Sequence, residues 1–349
     1  MKKHRNIPIF IPHMGCPHQC VFCNQRLISG EEAFSPDSVP RRIEEALATI
    51  PSGCEVEIAF FGGSFTGIER ALMLELLETA ESYVRRGCVQ SIRLSTRPDY
   101  IDGEILSILS RYSVQSVELG FQSMSERVLQ ASGRGHTVRE SEEAAHAVVA
   151  AGFSLVGQMM IGLPGSTPED ELWTAHRIAE LGAVAARIYP TVVFQGTPLC
   201  RMAEAGEYPP LSDETAVRRS AAVLREFLSR GVECLRIGLC ASEHLSSPEE
   251  VWGGPNHPAL GELVWNEYYY GELLRILDAT AIAGDVELHV PRENISKVVG
   301  QHRRNLSRLW QERSVRVCRI VRDDTPNGTV AIVPCDPSEN IRGGTPLCI

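Results

Sequence analysis

The sequence predicts an α/β protein: an incomplete (β/α)6 TIM-like barrel followed by a small C-terminal α+β module. Two observations carry the barrel. Short apolar strands alternate with capped helices from residue 6 to about 240, and the chemically unusual residues fall where each strand finishes. A third observation marks the module. Between Gly284 and Arg322 nine basic residues stand against four acidic ones, which leaves +5 there and −15 elsewhere in a chain of net charge −10.

The strands read in order as NIPIFIP (6–12), EVEIAFF (55–61), SIRLS (91–95), VQSVELG (114–120), FSLVGQMMI (153–161) and ARIYPTVV (186–193), with VECLRIGL (232–239) as a possible seventh. Near-continuous apolar runs in the second, fifth and sixth fit strands buried on both faces. The helices between them are punctuated. Thr137 and Glu140 have capping-box spacing and Gly152 follows the helix they open; Thr167-Pro168-Glu169-Asp170 offers a cap, a proline at the first helical position and acids in the first turn, with Gly182 as the stop. Successive βα units require a parallel sheet, and a doubly wound sheet or a barrel satisfies them equally. The cysteines, GGSF, STRPD, FQS, GLPG and FQGTP each follow a strand, and the carboxyl-end loops of a barrel share one face. Six clear units, where a full barrel needs eight, make it incomplete. We therefore expect a barrel over 1–240, a helical extension over 241–283, a basic module over 284–323 and an irregular tail over 324–349.

Composition is that of a soluble globular chain: 349 residues, 43% hydrophobic, 22% charged. No apolar run is long and unbroken enough to span a membrane, and the basic start is too short and proline-rich for a signal peptide. Eleven cysteines do not form a dense disulfide framework, so a reducing cytoplasm is expected, with the eight scattered ones as small buried hydrophobes.

The other three cysteines cluster as CxxxCxxC at Cys16, Cys20 and Cys23. Structural zinc takes four ligands, commonly in two pairs; no second pair is present, though His13 or His18 could supply a fourth. A [4Fe–4S] cluster takes four thiolates, so three leave one iron open. Spacing alone admits either.

CxxxCxFC after the first strand, with Gly62-Gly63 after the second, resembles the radical S-adenosylmethionine (SAM) superfamily. EIAFFGGSFTGI, STRPDYID, VELGFQSMSERVLQASGRGHT and QMMIGLPGST resemble the branch of the Elongator catalytic subunit and the oxygen-independent coproporphyrinogen oxidases. The resemblance implies that Cys16, Cys20 and Cys23 hold three irons of a [4Fe–4S] cluster whose fourth binds SAM. It implies that Phe22 packs near the adenine, that Gly62, Gly63 and Ser64 meet the methionine amine, and that Gln122 and Arg134 contact the ribose and carboxylate. Ser95 and Gln158 occupy places where the coproporphyrinogen enzymes carry acids. It further implies a one-electron donor such as flavodoxin or ferredoxin, reductive cleavage of SAM, and hydrogen abstraction from a substrate. No ordinary catalytic residue is identified. Tyr189 and Cys240, near strand ends, are candidate relays; His136 reads as a capping or packing residue, and the role of His257 in PNHP is open.

VVGQHRRNLSRLW, set between two helices and flanked by strands, resembles a degenerate KH-type module, with Gly300 as the first glycine of its loop and Arg303 in the place of the second. Gly300, Arg303, Arg304 and Arg308 are the candidate RNA contacts; Leu306, Leu309 and Trp310 read as one core-facing stripe. Elongator-like relatives act on tRNA wobble uridines, so tRNA is the leading expected substrate. Neither an acetyltransferase domain nor a second three-cysteine domain is expected. The alternatives are a radical SAM enzyme acting on a small molecule such as a porphyrin precursor, and a non-catalytic metal-containing RNA-binding protein.

Overall fold

The computed structural model describes residues 4–16, 20–29, 34–239, 247–322 and 329–335. They fall into two compact units that divide at Pro258 and Ala259.

In the first unit, β1 (His4–Phe10), β2 (Glu55–Phe61), β3 (Ser91–Thr96), β4 (Val114–Gln122), β5 (Ser154–Ile161), β6 (Ala185–Pro190) and β8 (Glu233–Ile237) form one sheet in that order. Every neighbouring pair is parallel, and the sheet curls into a half-barrel. The possible seventh strand is thus real and closes the series beyond β6. Between β6 and β8 the short β7 (Val193–Phe194) leaves the sheet to pair antiparallel with β9 (Val251–Gly253), so the expected 186–193 strand is split at Pro190.

The helices begin where the capping signals placed them. Thr137 and Glu140, and Thr167 and Asp170, each close a reciprocal capping box, which satisfies backbone donors that the first helical turn leaves free. Alternation across the strands separates two faces. Gly157 meets Ile178 of the Pro168–Glu180 helix, whereas its neighbour Gln158 lies on the opposite, concave face. Among the described residues no helix is long and apolar enough to cross a membrane.

The second unit contains the Leu260–Thr280 helix, β10 (Gly284–Val290), helices Ile295–Val299 and Arg304–Arg313, β11 (Val315–Arg322) and β12 (Ala331–Pro334). The sheet order is β11-β10-β12, with β10 parallel to β11 and antiparallel to β12. The β–α–turn–α–β order expected for the module is present. Of the stretch expected as a separate 241–283 extension, the Leu260–Thr280 helix belongs to this module, because its Tyr269, Tyr270, Leu273 and Leu277 share a core with Val286, Leu288, Val290, Val298 and Leu309. Burying that face holds the helix to the module.

Candidate active site

Two loops build the carboxyl end of β1 and β2, and they are interlocked through their backbones. Past β1, Ile11 N donates to Phe61 O (2.8 Å) and His13 N to Gly62 O (3.2 Å); coming back, Ser64 N donates to Met14 O (2.9 Å). A Cβ at Gly63 would stand 2.4 Å from Met14 O, and one at Gly15 (φ +71°) 2.3 Å from Ser64 O. Only glycine allows either approach. The room left by the absent Gly63 side chain is therefore filled by the cysteine loop itself. His13 Nε2 accepts Gln25 N (3.1 Å) and so shapes the turn after Cys23; His18 lies outside the described residues.

Ser64 is fully buried. Its Oγ lies 3.0 Å from Thr96 Oγ1 and accepts Arg97 N (3.1 Å), and Thr96 Oγ1 lies 2.6 Å from Thr66 Oγ1, which tie the ends of β2 and β3 together.

Cys16, Cys20 and Cys23 are free thiols gathered by this frame. Burial, then the neighbouring thiols of Cys20 and Cys16, push Cys23 up to about 12. Burial and then Cys20 raise Cys16 in the same way. A bound cation would remove the penalty on ionising Cys16 and Cys23. Arg134 Nη1 donates to Cys20 Sγ at 3.2 Å while its Nη2 donates to Gly120 O at 2.7 Å.

Arg97, in the STRPD stretch, escaped the sequence reading as a site residue. It is 3% exposed and held from behind, with Nε and Nη2 each 2.9 Å from the Asp99 carboxylate and Nη2 donating to Arg134 O at 2.6 Å. Among the described residues Arg97 Nη1 and Arg134 Nε are buried with no hydrogen-bond partner. Unpaired buried guanidinium N–H groups beside neutral thiols call for an anionic or acceptor-rich occupant. An iron–sulfur cluster carrying an amino acid carboxylate meets that demand.

Gln122 ends β4 at φ +62°, where the ladder to β5 slips between Gly120 and Gln122. A Cβ at Gly120 would be 2.9 Å from Gln122 Nε2 and 3.4 Å from Arg134 Nη2, so both side chains converge over that glycine. The structure thus brings Gln122, Arg134 and Cys20 together. Phe22 packs against the cluster of Val193, Leu199 and Tyr208. His136 is 4% exposed, and burial, followed by Arg134 and Arg97, lowers it to about 3, so the ring is neutral.

Ser95 Oγ donates to Phe60 O (3.4 Å). Gln158 joins a feature that the sequence did not reveal, a ladder of buried charges across the concave face. Glu118, with no exposed surface, accepts from Arg93 Nη1 (3.0 Å), Arg187 Nε (2.9 Å) and Gln158 Nε2 (3.0 Å). Glu57 accepts from the other side of Arg93 (3.0 Å), from Ser91 (2.6 Å) and, through its Oε2, contacts His4 Nε2 (2.8 Å). Arg187 also lies over the Phe61 ring at 5.3 Å. Tyr189 stands beside Arg187, and burial raises its phenol above the ordinary range. Its candidate co-relay Cys240 lies outside the described residues. His257 N donates to Asp213 Oδ1 (3.3 Å) at the start of the Asp213–Ser229 helix.

In the second unit the turn after Gly300 (φ +77°) places His302 (φ +51°) and Arg303 (φ +61°) in the left-handed region. The place of a second KH glycine thus has the conformation that glycine favours, although arginine fills it. Two buried asparagines hold the turn: Asn266 accepts Gln301 N (3.2 Å) and donates to Lys297 O (3.0 Å), while Asn305 donates to Asn266 O (2.8 Å) and Val298 O (3.1 Å). Arg303 and Arg304 are exposed. Arg308 pairs with Glu267 (2.6 Å) and Glu312 (3.2 Å) over the Tyr270 ring. Trp310 is not in the core. It is 57% exposed, because Asn305 and Leu309 take the inward positions of that helix.

Fold and site together define an enzyme class in which a parallel half-barrel carries a thiolate-bound metal cofactor at the carboxyl ends of its strands. The chain belongs to the radical SAM superfamily: the superfamily model matches residues 10–178 and the radical SAM C-terminal domain model residues 184–269. Its cofactors are a [4Fe–4S] cluster and SAM. An uncharacterized protein of Methanocaldococcus jannaschii is 30% identical over 219 residues, 59% of this chain and 67% of that protein. The tRNA uridine(34) acetyltransferase of Methanocaldococcus infernus is 27% identical over 244 residues, 58% of this chain but only 46% of that enzyme. The structure of Methanocaldococcus infernus Elp3 superposes with a TM-score of 0.62 at 21% identity, over 82% of this chain and 71% of that one, which shows a shared fold.

Proposed function

We propose that this radical SAM enzyme modifies a nucleoside of a structured RNA, tRNA first of all, in a reducing cytoplasm and with a one-electron protein donor. In that reading Cys16, Cys20 and Cys23 hold three irons, and Gly62, Gly63, Ser64, Gln122 and Arg134 line the SAM side. When bound, the cofactor pair would supply one-electron chemistry and hydrogen-atom abstraction. The chain's own residues do the positioning. Arg134 fixes Cys20, the Asp99-braced Arg97 adds a second buried positive charge, and the interlocked glycine loops set the cysteine loop against β2. The buried ladder fills the concave face with fixed dipoles in place of water.

The observation that carries the RNA reading is the pre-formed basic turn of the second unit. Arg308, Arg313, Arg316 and Arg319 are spent on ion pairs with Glu267, Asp278, Asp285 and Glu287. Among the described residues Arg304, exposed where the helix leaves the turn, forms none. Arg303, Ser307 and Trp310 follow at helical spacing on one exposed face, which joins phosphate-seeking charge to an aromatic surface for an unpaired base. Similarity to a tRNA uridine(34) acetyltransferase supports the same substrate class. Mass spectrometry of tRNA nucleosides from cells lacking the gene tests it: one nucleoside should disappear or be replaced by its precursor. An unchanged nucleoside profile would sink the RNA reading and leave the small-molecule alternative.

A further inference from the structure

The second unit assembles another set of ligand-type groups away from the cysteine loop. Along the β10–β11 ladder Val286 pairs with Val317, but Glu287 pairs with Arg319, so Cys318 is the extra residue of a bulge. A bulge re-aims the side chain it carries. Here Cys318 Sγ is turned over β10 to within 3.1 Å of Val286 O. From the other edge, Cys335 N donates to Asp285 O (2.9 Å), which fixes the residue just after β12. The two sulfurs meet in a Cys318–Cys335 bond, so these cysteines are not the isolated buried hydrophobes expected from their scattered positions. A carboxylate oxygen of Glu287 completes the group, and the three ligand atoms lie within 4.8 Å of one another.

The backbone spacing is wide for a direct bridge. The Cα atoms are 7.3 Å apart, whereas pairs beyond about 7 Å are not joined without backbone movement. A cation with metal–sulfur bonds of about 2.3 Å in a tetrahedral site separates its two sulfurs by roughly 3.8 Å. That separation suits the wider backbone better than a sulfur–sulfur bond does. Glu287 now pairs with Arg319 at 3.1 Å, and the arginine side chain is more than half exposed. The arginine can swing into water, and the largely buried Glu287 would then exchange it for the cation. His289 Nε2, two residues along the same face of β10, lies 3.9 Å from Glu287 Oε2.

We propose that Glu287, Cys318 and Cys335 form a binding site for a thiophilic divalent cation of the zinc class, with water in the fourth position, and that the disulfide is its oxidised, metal-free form. A dithiol reductant gives two electrons and two protons to the disulfide, becoming a disulfide itself and leaving two protein thiols. Cation binding then releases the two thiol protons as the metal–sulfur bonds form. Ligands from three adjacent strands would make the ion a clasp across the sheet.

The test uses cluster-loaded protein prepared anaerobically with a dithiol reductant, equilibrated with zinc and washed with a weak chelator. Wild type should retain one zinc beyond its full complement of iron. The Cys318→Ser/Cys335→Ser double variant should fall below a tenth of that, with iron content and reductive SAM cleavage unchanged. Glu287→Gln should weaken zinc at least tenfold in chelator competition without altering the thiol count. Equal zinc in wild type and double variant overturns the proposal. So does a wild type that takes up no zinc although all its thiols titrate, or cobalt-substituted protein without thiolate-to-cobalt absorption.

Discussion

Arg134 Nη1 stands 3.2 Å from Cys20 Sγ, and the same guanidinium is anchored to Gly120 O through Nη2. A buried positive charge hydrogen-bonded to a ligand sulfur favours the more negative, reduced state of whatever that sulfur binds. Arg134→Gln keeps a donor but removes the charge, so the cluster's potential should become more negative. A charged hydrogen bond is worth about 1.5–3 kcal/mol, and each 1.4 kcal/mol is about 59 mV for one electron. A drop on the order of 60–130 mV, read by redox titration of the cluster's paramagnetic signal, is expected at unchanged iron content. An unmoved potential would leave Arg134 a merely structural residue.

The loop interlock predicts the opposite pattern, loss of cluster before loss of fold. A Cβ at Gly63 would clash with Met14 O and Ile11 O, and one at Gly15 with Ser64 O, all of them backbone atoms that cannot swing away. Gly63→Ala and Gly15→Ala should each cost about 1–3 kcal/mol by overpacking. They should also cut iron retained after reconstitution by more than half, since the displaced segment is the one that carries Cys16. Iron analysis alongside thermal unfolding separates the two effects.

How much of this was legible in the sequence follows from which residues announce their surroundings. The strands were readable because a strand buried on both faces has few polar residues, and the capping boxes at Thr137 and Thr167 are local chemistry. The Glu57–Arg93–Glu118–Arg187 ladder was not, because its members come from four different strands and look like routine polar alternation until β2 to β6 lie side by side. Trp310 was misplaced for a subtler reason. Helical spacing groups it with Leu306 and Leu309, but Asn305 must point inward to hold the carbonyls of Asn266 and Val298, and that rotation turns Trp310 to solvent. The Cys318–Cys335 pairing depends on a one-residue bulge that no composition signal marks.

The ladder carries its own prediction. Glu118 is the acceptor shared by Arg93, Arg187 and Gln158. Glu118→Ala would leave Arg187 without its carboxylate and Arg93 with Glu57 alone, and breaking a buried pair from one side costs about 3–5 kcal/mol. Unfolding by urea should show the midpoint falling accordingly with the slope unchanged. A loss under 1 kcal/mol would mean that water or a shifted Glu57 replaces the carboxylate.

His136 should leave a mark on acid stability. Burial and the neighbouring arginines lower its native pKa to about 3, against about 6.5 in the unfolded chain. The group's contribution is therefore intact above about pH 6.5 and is lost as pH falls toward 3, because only the unfolded state takes up the proton in that window. The slope approaches 1.4 kcal/mol per pH unit. In His136→Asn that component vanishes, so the stability gap between wild type and variant should narrow from pH 7 to pH 5. Parallel pH profiles would show that the folded protein takes up the proton on this ring as readily as the unfolded chain does.

The exposed face of the second unit separates charge from stacking. Arg303→Ala/Arg304→Ala removes two positive groups at the turn and should weaken binding of any RNA. It should also flatten the dependence of affinity on salt, by up to about one unit of logarithmic slope for each phosphate that is no longer neutralised. Trp310→Ala leaves the charge and should leave the salt slope. It should weaken single-stranded or looped RNA by about 1–3 kcal/mol, some 5- to 150-fold, while duplex RNA, whose bases are already stacked, is unaffected. Trp310→Phe should recover most of the loss, because a phenyl ring still stacks. Affinities measured at two salt concentrations for a hairpin and its closed duplex decide the matter. If the alanine variant binds both RNAs equally poorly, the indole is holding the helix in shape; if it binds both as well as wild type, the exposed face does not read unpaired bases.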